Sequence, residues 1–143
     1  MGDVAQAMRA NVVNIHKVTG LTILCLMVCR AIWALINPKP DLPAGSAVWE
    51  YYLSRLVHFL LYLFLIIMPI TGWIMASAAG KPPHIFGFLI ALPVNKSKSL
   101  ADLFVSIHNT LAIIIIFFIS LHVLAALYHY YVKKDNVLQR MLY

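Results

Sequence analysis

Three long apolar runs dominate the chain. Val18 to Ile36 carries one charge, Arg30; Leu56 to Ala79 carries none beyond His58; Leu103 to Tyr128 carries His108 and His122. A helix needs about 20 apolar residues to cross a bilayer core. All three runs meet that length, so each predicts a membrane-spanning helix. Allowing for their ends, the spans are expected at about residues 14–36, 56–79 and 103–131. The punctuation agrees. Asn37-Pro38-Lys39-Pro40 closes the first run, because a residue before proline avoids the helical region. Gly80-Lys81-Pro82-Pro83 closes the second, and Pro69 inside it predicts a kink. Between the second and third runs, Ile85 to Val94 is too short to span and reads as an interfacial loop or short surface helix. After Lys133-Lys134-Asp135 a short amphipathic tail is expected to Tyr143. The polar leader Met1–Lys17 is not followed by a cleavage site of the signal-peptide kind. The expected fold is all-α, an antiparallel transmembrane bundle of three spans forming one domain over residues 1–143.

Composition narrows the function classes. The 143 residues are 62% hydrophobic and 11% charged, with a mean hydropathy of +0.85. Soluble domains run at about 45–50% apolar and about 25% charged, so lipid is the expected solvent. The net charge of +6 would suggest nucleic acid in a soluble chain. Here the basic residues flank apolar runs and form no basic stripe interleaved with aromatics, so no nucleic-acid partner is expected. Three antiparallel spans put Arg30, Lys39, Arg55, Lys133, Lys134 and Arg140 on one side and Arg9, Lys17, Lys81, Lys96 and Lys98 on the other. Six against five leaves the orientation open. Cys25 and Cys29 share a helical face and read as small buried apolar groups.

The chemistry lies in the histidines. Six occur: His16, His58, His84, His108, His122 and His129. His84 falls in a loop and reads as solvated. Ionisable residues inside a membrane point to function. His108 and His122 are fourteen residues apart, which is four helical turns less about 40° and a rise of about 21 Å. Both imidazoles therefore share a face, separated by too much for one metal ion and enough for two stacked haems. His129, seven residues on, continues that face to the membrane edge. His16 begins the first span, at the depth of His108, so one haem iron can take an imidazole from each. One turn after His16, His108 and His122 stand Gly20, Ala112 and Ala126, small enough for a porphyrin to lie over; one turn after His58 stands Tyr62.

The same residues carry a family resemblance. His16-Lys-Val-Thr-Gly20, leading into a helix that ends with Arg30 and Pro38, resembles the second helix of the bacterial cytochrome b561 family. Arg55-Leu-Val-His58 with Met68-Pro69-Ile-Thr-Gly72-Trp73 resembles its third. Leu121-His122 through Lys133-Lys134-Asp135-Asn136 to Arg140-Met141 resembles its fourth helix and tail. The resemblance implies a bacterial inner-membrane, multi-pass protein holding haem b and passing electrons between a periplasmic-side donor, with superoxide one proposed donor, and the quinone pool. It implies His16, His108 and His122 as axial ligands and associates His58 and His129 with the quinone end. The family's first helix, with its own ligand, has no counterpart in this sequence. The His16–His108 pair is complete, whereas a second haem at His122 lacks the family partner. His58 is expected about two turns shallower than His122, with Tyr62 beside it, and is not expected to substitute.

The leading expectation is thus a quinone-linked electron-transfer cytochrome. Arg30 is expected to reach a propionate of the His122-side haem or the headgroups. Arg55, His58 and His129 are expected to form a quinone edge, walled by Tyr62 or Tyr130. Two other readings stay open: a haem-bearing membrane anchor of a dehydrogenase or hydrogenase, and a haem-free membrane protein whose histidines bind a metal or merely pack. The sequence leaves the donor, the quinone type and the assembly state, a homodimer among them, undetermined.

Overall fold

The computed structural model describes residues 2–37 and 48–134. Three long helices account for most of them: α1 (Gly2–Ile36), α2 (Val48–Ala78) and α3 (Lys98–Tyr128), the last continued by a π-helical turn at His129–Lys133. All three are long and apolar enough to cross a membrane. Isoleucines, leucines and phenylalanines on all three, such as Leu26, Leu35, Phe59, Ile113, Ile116 and Phe117, face outward and exposed. Water would not tolerate so large a continuous apolar surface, and lipid tails would. Trp33, Trp49, Tyr52, Tyr128 and Tyr131 are exposed at one end of the bundle, where an aromatic belt meets the headgroups.

Each helix begins earlier than the apolar runs indicate, at Gly2, Val48 and Lys98 instead of about 14, 56 and 103. Hydrophobicity marks the part of a helix in lipid, and the helix continues past it wherever local chemistry allows. Asp3 and Glu50 lie in the first turns of α1 and α2, where acidic groups favour the positive end of the helix dipole. At α3 the Ser97 hydroxyl accepts from the Leu100 N–H at 3.3 Å, and Lys98 pairs with Asp102 at 2.7 Å. α2 runs through Pro69 as one helix. It ends at Gly80, whose φ of +70° suits a residue without a side chain. The Lys81 N–H reaches the Ala76 carbonyl and the Gly80 N–H that of Ser77, closing the helix in a Schellman motif.

The α2–α3 connection contains an antiparallel hairpin rather than a surface helix, with β1 (His84–Ile85) pairing β2 (Phe88–Leu89). Phe86 and Gly87 both take positive φ, the turn geometry that matches strand twist. Two-residue strands cannot hold themselves, and the helices hold them. Asn14 of α1 clasps His84 by its backbone, accepting its N–H at 2.9 Å and donating to its carbonyl at 3.1 Å. Trp73 Nε1 donates to the Ile90 carbonyl, and the Leu92 N–H to the Ser77 hydroxyl. Asn14→Ala removes both clasping bonds, at about 1 kcal/mol each. Faster hydrogen exchange at the His84 amide is the expected result, with helix content unchanged.

α2 is the central element. It packs against α1 on one side and α3 on the other, while α1 and α3 do not pack against each other among the described residues. Cys25 and Cys29 are exposed on α1 instead of buried, because α1 has a neighbour on one side only. The tail beyond Lys134, the Pro38–Pro40 segment, Lys39 and Arg140 lie outside the described residues.

Candidate functional site

His16 and His108 meet at the hairpin end. Their ring centroids are 6.2 Å apart with planes nearly perpendicular. They come from α1 and α3, which otherwise do not touch, so the two rings bridge a cleft over α2. The cleft is lined also by Gly20, Pro69, Gly72, Trp73 and the buried Pro83. The hairpin loop closes it from above, and the Lys17 ammonium donates to the Lys81 carbonyl at its rim, 2.8 Å away.

α2 contributes the floor. A Cβ added to Gly72 would lie 2.9 Å from His108 Cε1 and 3.3 Å from Nδ1, so the imidazole lies directly on the glycine. Beside it the buried Thr71 hydroxyl is 3.1 Å from His108 Nδ1 and 2.7 Å from the Met68 carbonyl. Sequence reasoning quoted the Pro69-Ile-Thr-Gly72 stretch for its resemblance and missed these contacts. The available signal was spacing: Gly72 follows His58 by fourteen residues, just as His122 follows His108. Two antiparallel helices with equal spacings bring the pairs to common levels.

At the second level, about 21 Å deeper, α2 presents His58 to His122. These ring centroids are 5.1 Å apart, which corrects the expectation that His58 lies about two turns shallower. α2 begins two turns before the apolar run, so His58 lies ten residues into the helix. Two to three turns beyond, the Glu50–Lys133 ion pair ties the start of α2 to the π-helical turn that follows α3. Ser54 Oγ stands 3.4 Å from His58 Nδ1. Arg30, fourteen residues after His16 on α1, is close enough to His58 to interact with it electrostatically. Each helix therefore contributes to both levels, His16 and Arg30 from α1, Gly72 and His58 from α2, His108 and His122 from α3.

The predicted quinone edge divides. Arg55 hydrogen-bonds the Tyr51 hydroxyl and lies over its ring, and His129 packs edge-on against Tyr128. His58 turns inward to His122 instead of joining them.

The first level suits a haem. Two iron–nitrogen bonds of about 2 Å each, along a line through both rings, put imidazole centroids about 6 Å apart. The observed 6.2 Å meets that requirement, on a cleft floored by glycine. At 5.1 Å the second pair is packed ring against ring, closer than a shared iron would hold it. Among the described residues no group of three or more His, Cys, Asp or Glu side chains could hold a bare metal ion.

Residues 2–143 match the family described as prokaryotic cytochrome b561. Among curated relatives, "Cytochrome b561 homolog 2" of Escherichia coli (strain K12) is 32% identical over 131 residues, covering 90% of this chain and 69% of the relative. "Probable superoxide oxidase CybB" of Yersinia pestis is 35% identical over 128 residues, 90% of this chain and 73% of the relative. "Cytochrome b561 homolog 1" of Escherichia coli (strain K12) is 31% identical over 127 residues, 89% and 72%.

Proposed function

The chain belongs to the prokaryotic cytochrome b561 family, bacterial multi-pass membrane proteins that bind haem b and act in electron transfer, and on that premise we propose that His16 and His108 are the paired axial ligands of its haem. The observation that carries the proposal is the 6.2 Å approach of the two rings across the α1–α3 cleft. Haem iron supplies a reversible one-electron change when bound. With His16 and His108 both holding the iron, no position would be left for dioxygen, so these residues would serve electron transfer rather than oxygen chemistry. Membership of the family displaces the haem-free reading. The relatives' names favour a free-standing cytochrome over an anchor subunit.

The hairpin end is proposed to face the periplasm across the inner membrane. Lys17, Lys81, Lys96 and Lys98 lie there, and such a cationic rim concentrates an anionic donor. Superoxide is such an anion, and the Yersinia relative is named for its oxidation. At the opposite end His122 is proposed to hold the iron of a second haem through a ring nitrogen turned away from His58. Arg30 at that level is the cation for a propionate. Arg55 and His129, with aromatic walls from Tyr51 and Tyr128, are proposed to take a quinone, histidine serving as hydrogen-bonding group and proton source.

A reduced-minus-oxidised spectrum of the purified protein tests the haem, and its haem-to-protein ratio tests His122. A ratio of two supports the second ligand role, and a ratio of one removes it. Pre-reduced protein should reduce a quinone. His129→Ala is expected to slow this by about a hundredfold at equal haem content, the smaller end of a lost proton donor's effect. His58→Ala is expected to slow it less, since His58 faces His122. An unchanged rate in His129→Ala would move the quinone site elsewhere.

A further inference from the structure

We propose that Thr71 is the positioning residue of His108: its hydroxyl fixes the imidazole's tautomer and strengthens its outward nitrogen as a ligand. The proposal rests on the haem reading above and deepens it. A threonine hydroxyl has one hydrogen to give and lone pairs to receive with. Thr71 Oγ1 is 2.7 Å from the Met68 carbonyl, which can only accept. The hydroxyl's hydrogen is thus committed to Met68. Its lone pair faces His108 Nδ1 at 3.1 Å, so the bond there requires Nδ1 to carry the proton and donate. The neutral ring then has Nε2 bare, and a bare nitrogen is what a metal binds.

The contact is built to stay in place. Thr71 is 4% exposed, and Gly72 beside it leaves room for the ring to come within a side chain's reach of the helix. The Met68 carbonyl that takes the Thr71 hydroxyl also hydrogen-bonds His108, and lipid offers no further acceptor. A chain from Nδ1–H through a hydroxyl to a carbonyl polarises the imidazole, and an outer partner of this kind makes the ligand more basic and fixes its plane. A more basic ligand stabilises the ferric state, so Thr71 holds the midpoint potential of this haem down.

Thr71→Val keeps the shape and removes the hydroxyl, and Thr71→Ser keeps the hydroxyl and removes a methyl group. Redox titration of the whole purified protein, with haem content and low-spin electron paramagnetic resonance, separates bond from packing. Thr71→Val is expected to bind haem and to raise the midpoint, by up to a tenfold change in the oxidised-to-reduced ratio at fixed ambient potential, about 59 mV for one electron. Its low-spin resonance should shift, and Thr71→Ser should restore both. Loss of haem in Thr71→Val that Thr71→Ser does not share also supports the hydroxyl's role. An unmoved midpoint and resonance in Thr71→Val overturn the proposal, as does an equal change in both variants, which would mean packing alone. Wild-type protein without haem, or a haem that survives His108→Ala unaltered, defeats the haem reading itself. Those outcomes are distinct from a haem-loaded protein indifferent to Thr71.

Discussion

Alanine in place of His16 or His108 is expected to remove the low-spin haem of the hairpin end. Each variant deletes one of two imidazoles whose rings converge from helices that otherwise do not touch. No other histidine can take over. His84 is held by its backbone to Asn14 and is exposed on β1, and His58 and His122 lie four turns deeper. A single remaining imidazole leaves iron five-coordinate, so haem that is retained should turn high-spin, and most should be lost on purification. If the protein carries two haems, about half the absorbance should remain, from the site at His122. His84→Ala is the matched control and should leave spectrum and haem content at wild-type values. Spectra of the three variants at equal protein concentration decide the matter, and a low-spin haem undiminished in both His16→Ala and His108→Ala would remove the pair.

The three spans were legible because lipid imposes one rule on every residue within it: apolar outside, hydrogen bonds satisfied inside. That rule reads off a sequence without any knowledge of packing. The common depth of His16 and His108 followed from counting rises along two parallel helices. His58 was misjudged for the same reason that the helix starts were. Apolarity gives the edge of lipid, and the beginning of a helix is set by Glu50 and by the Lys133 partner that holds it. Cys25 and Cys29 were misplaced because burial depends on which helices are neighbours, and spacing along α1 cannot say that α3 stays away. Thr71 was invisible for a further reason. Threonine in a membrane helix commonly bonds its own backbone, and Thr71 does so toward Met68. Only the register of α3 against α2 reveals that its other lone pair meets an imidazole.

Gly72 is where that register is most exposed to a single added atom. In Gly72→Ala the new methyl carbon would lie 2.9 Å from His108 Cε1, inside the closest approach real side chains make, and 3.3 Å from Nδ1. The ring must move by several tenths of an ångström. It cannot do so freely, since Nδ1 is tied to Thr71 and α3 is packed on α2 along its length. Overpacking of this kind costs about 1–3 kcal/mol. Borne by the haem-bound state, that is a loss of about five- to 150-fold in haem affinity. A high-spin fraction should appear, because the displaced nitrogen no longer points along the axis to His16. Gly20→Ala is the informative comparison. Its added carbon would meet only Pro69, at 4.0 Å, an ordinary contact, so the chain itself accommodates it. A porphyrin held by His16, as proposed, would lie over Gly20 one turn on. Gly20→Ala should therefore lower occupancy while the haem that binds keeps its low-spin spectrum. Haem titration of the two apoproteins, followed by spectra at saturation, separates a displaced ligand from a crowded porphyrin face. Wild-type affinity and spectrum in Gly72→Ala would mean that His108 gives way without cost and that α2 does not set its position.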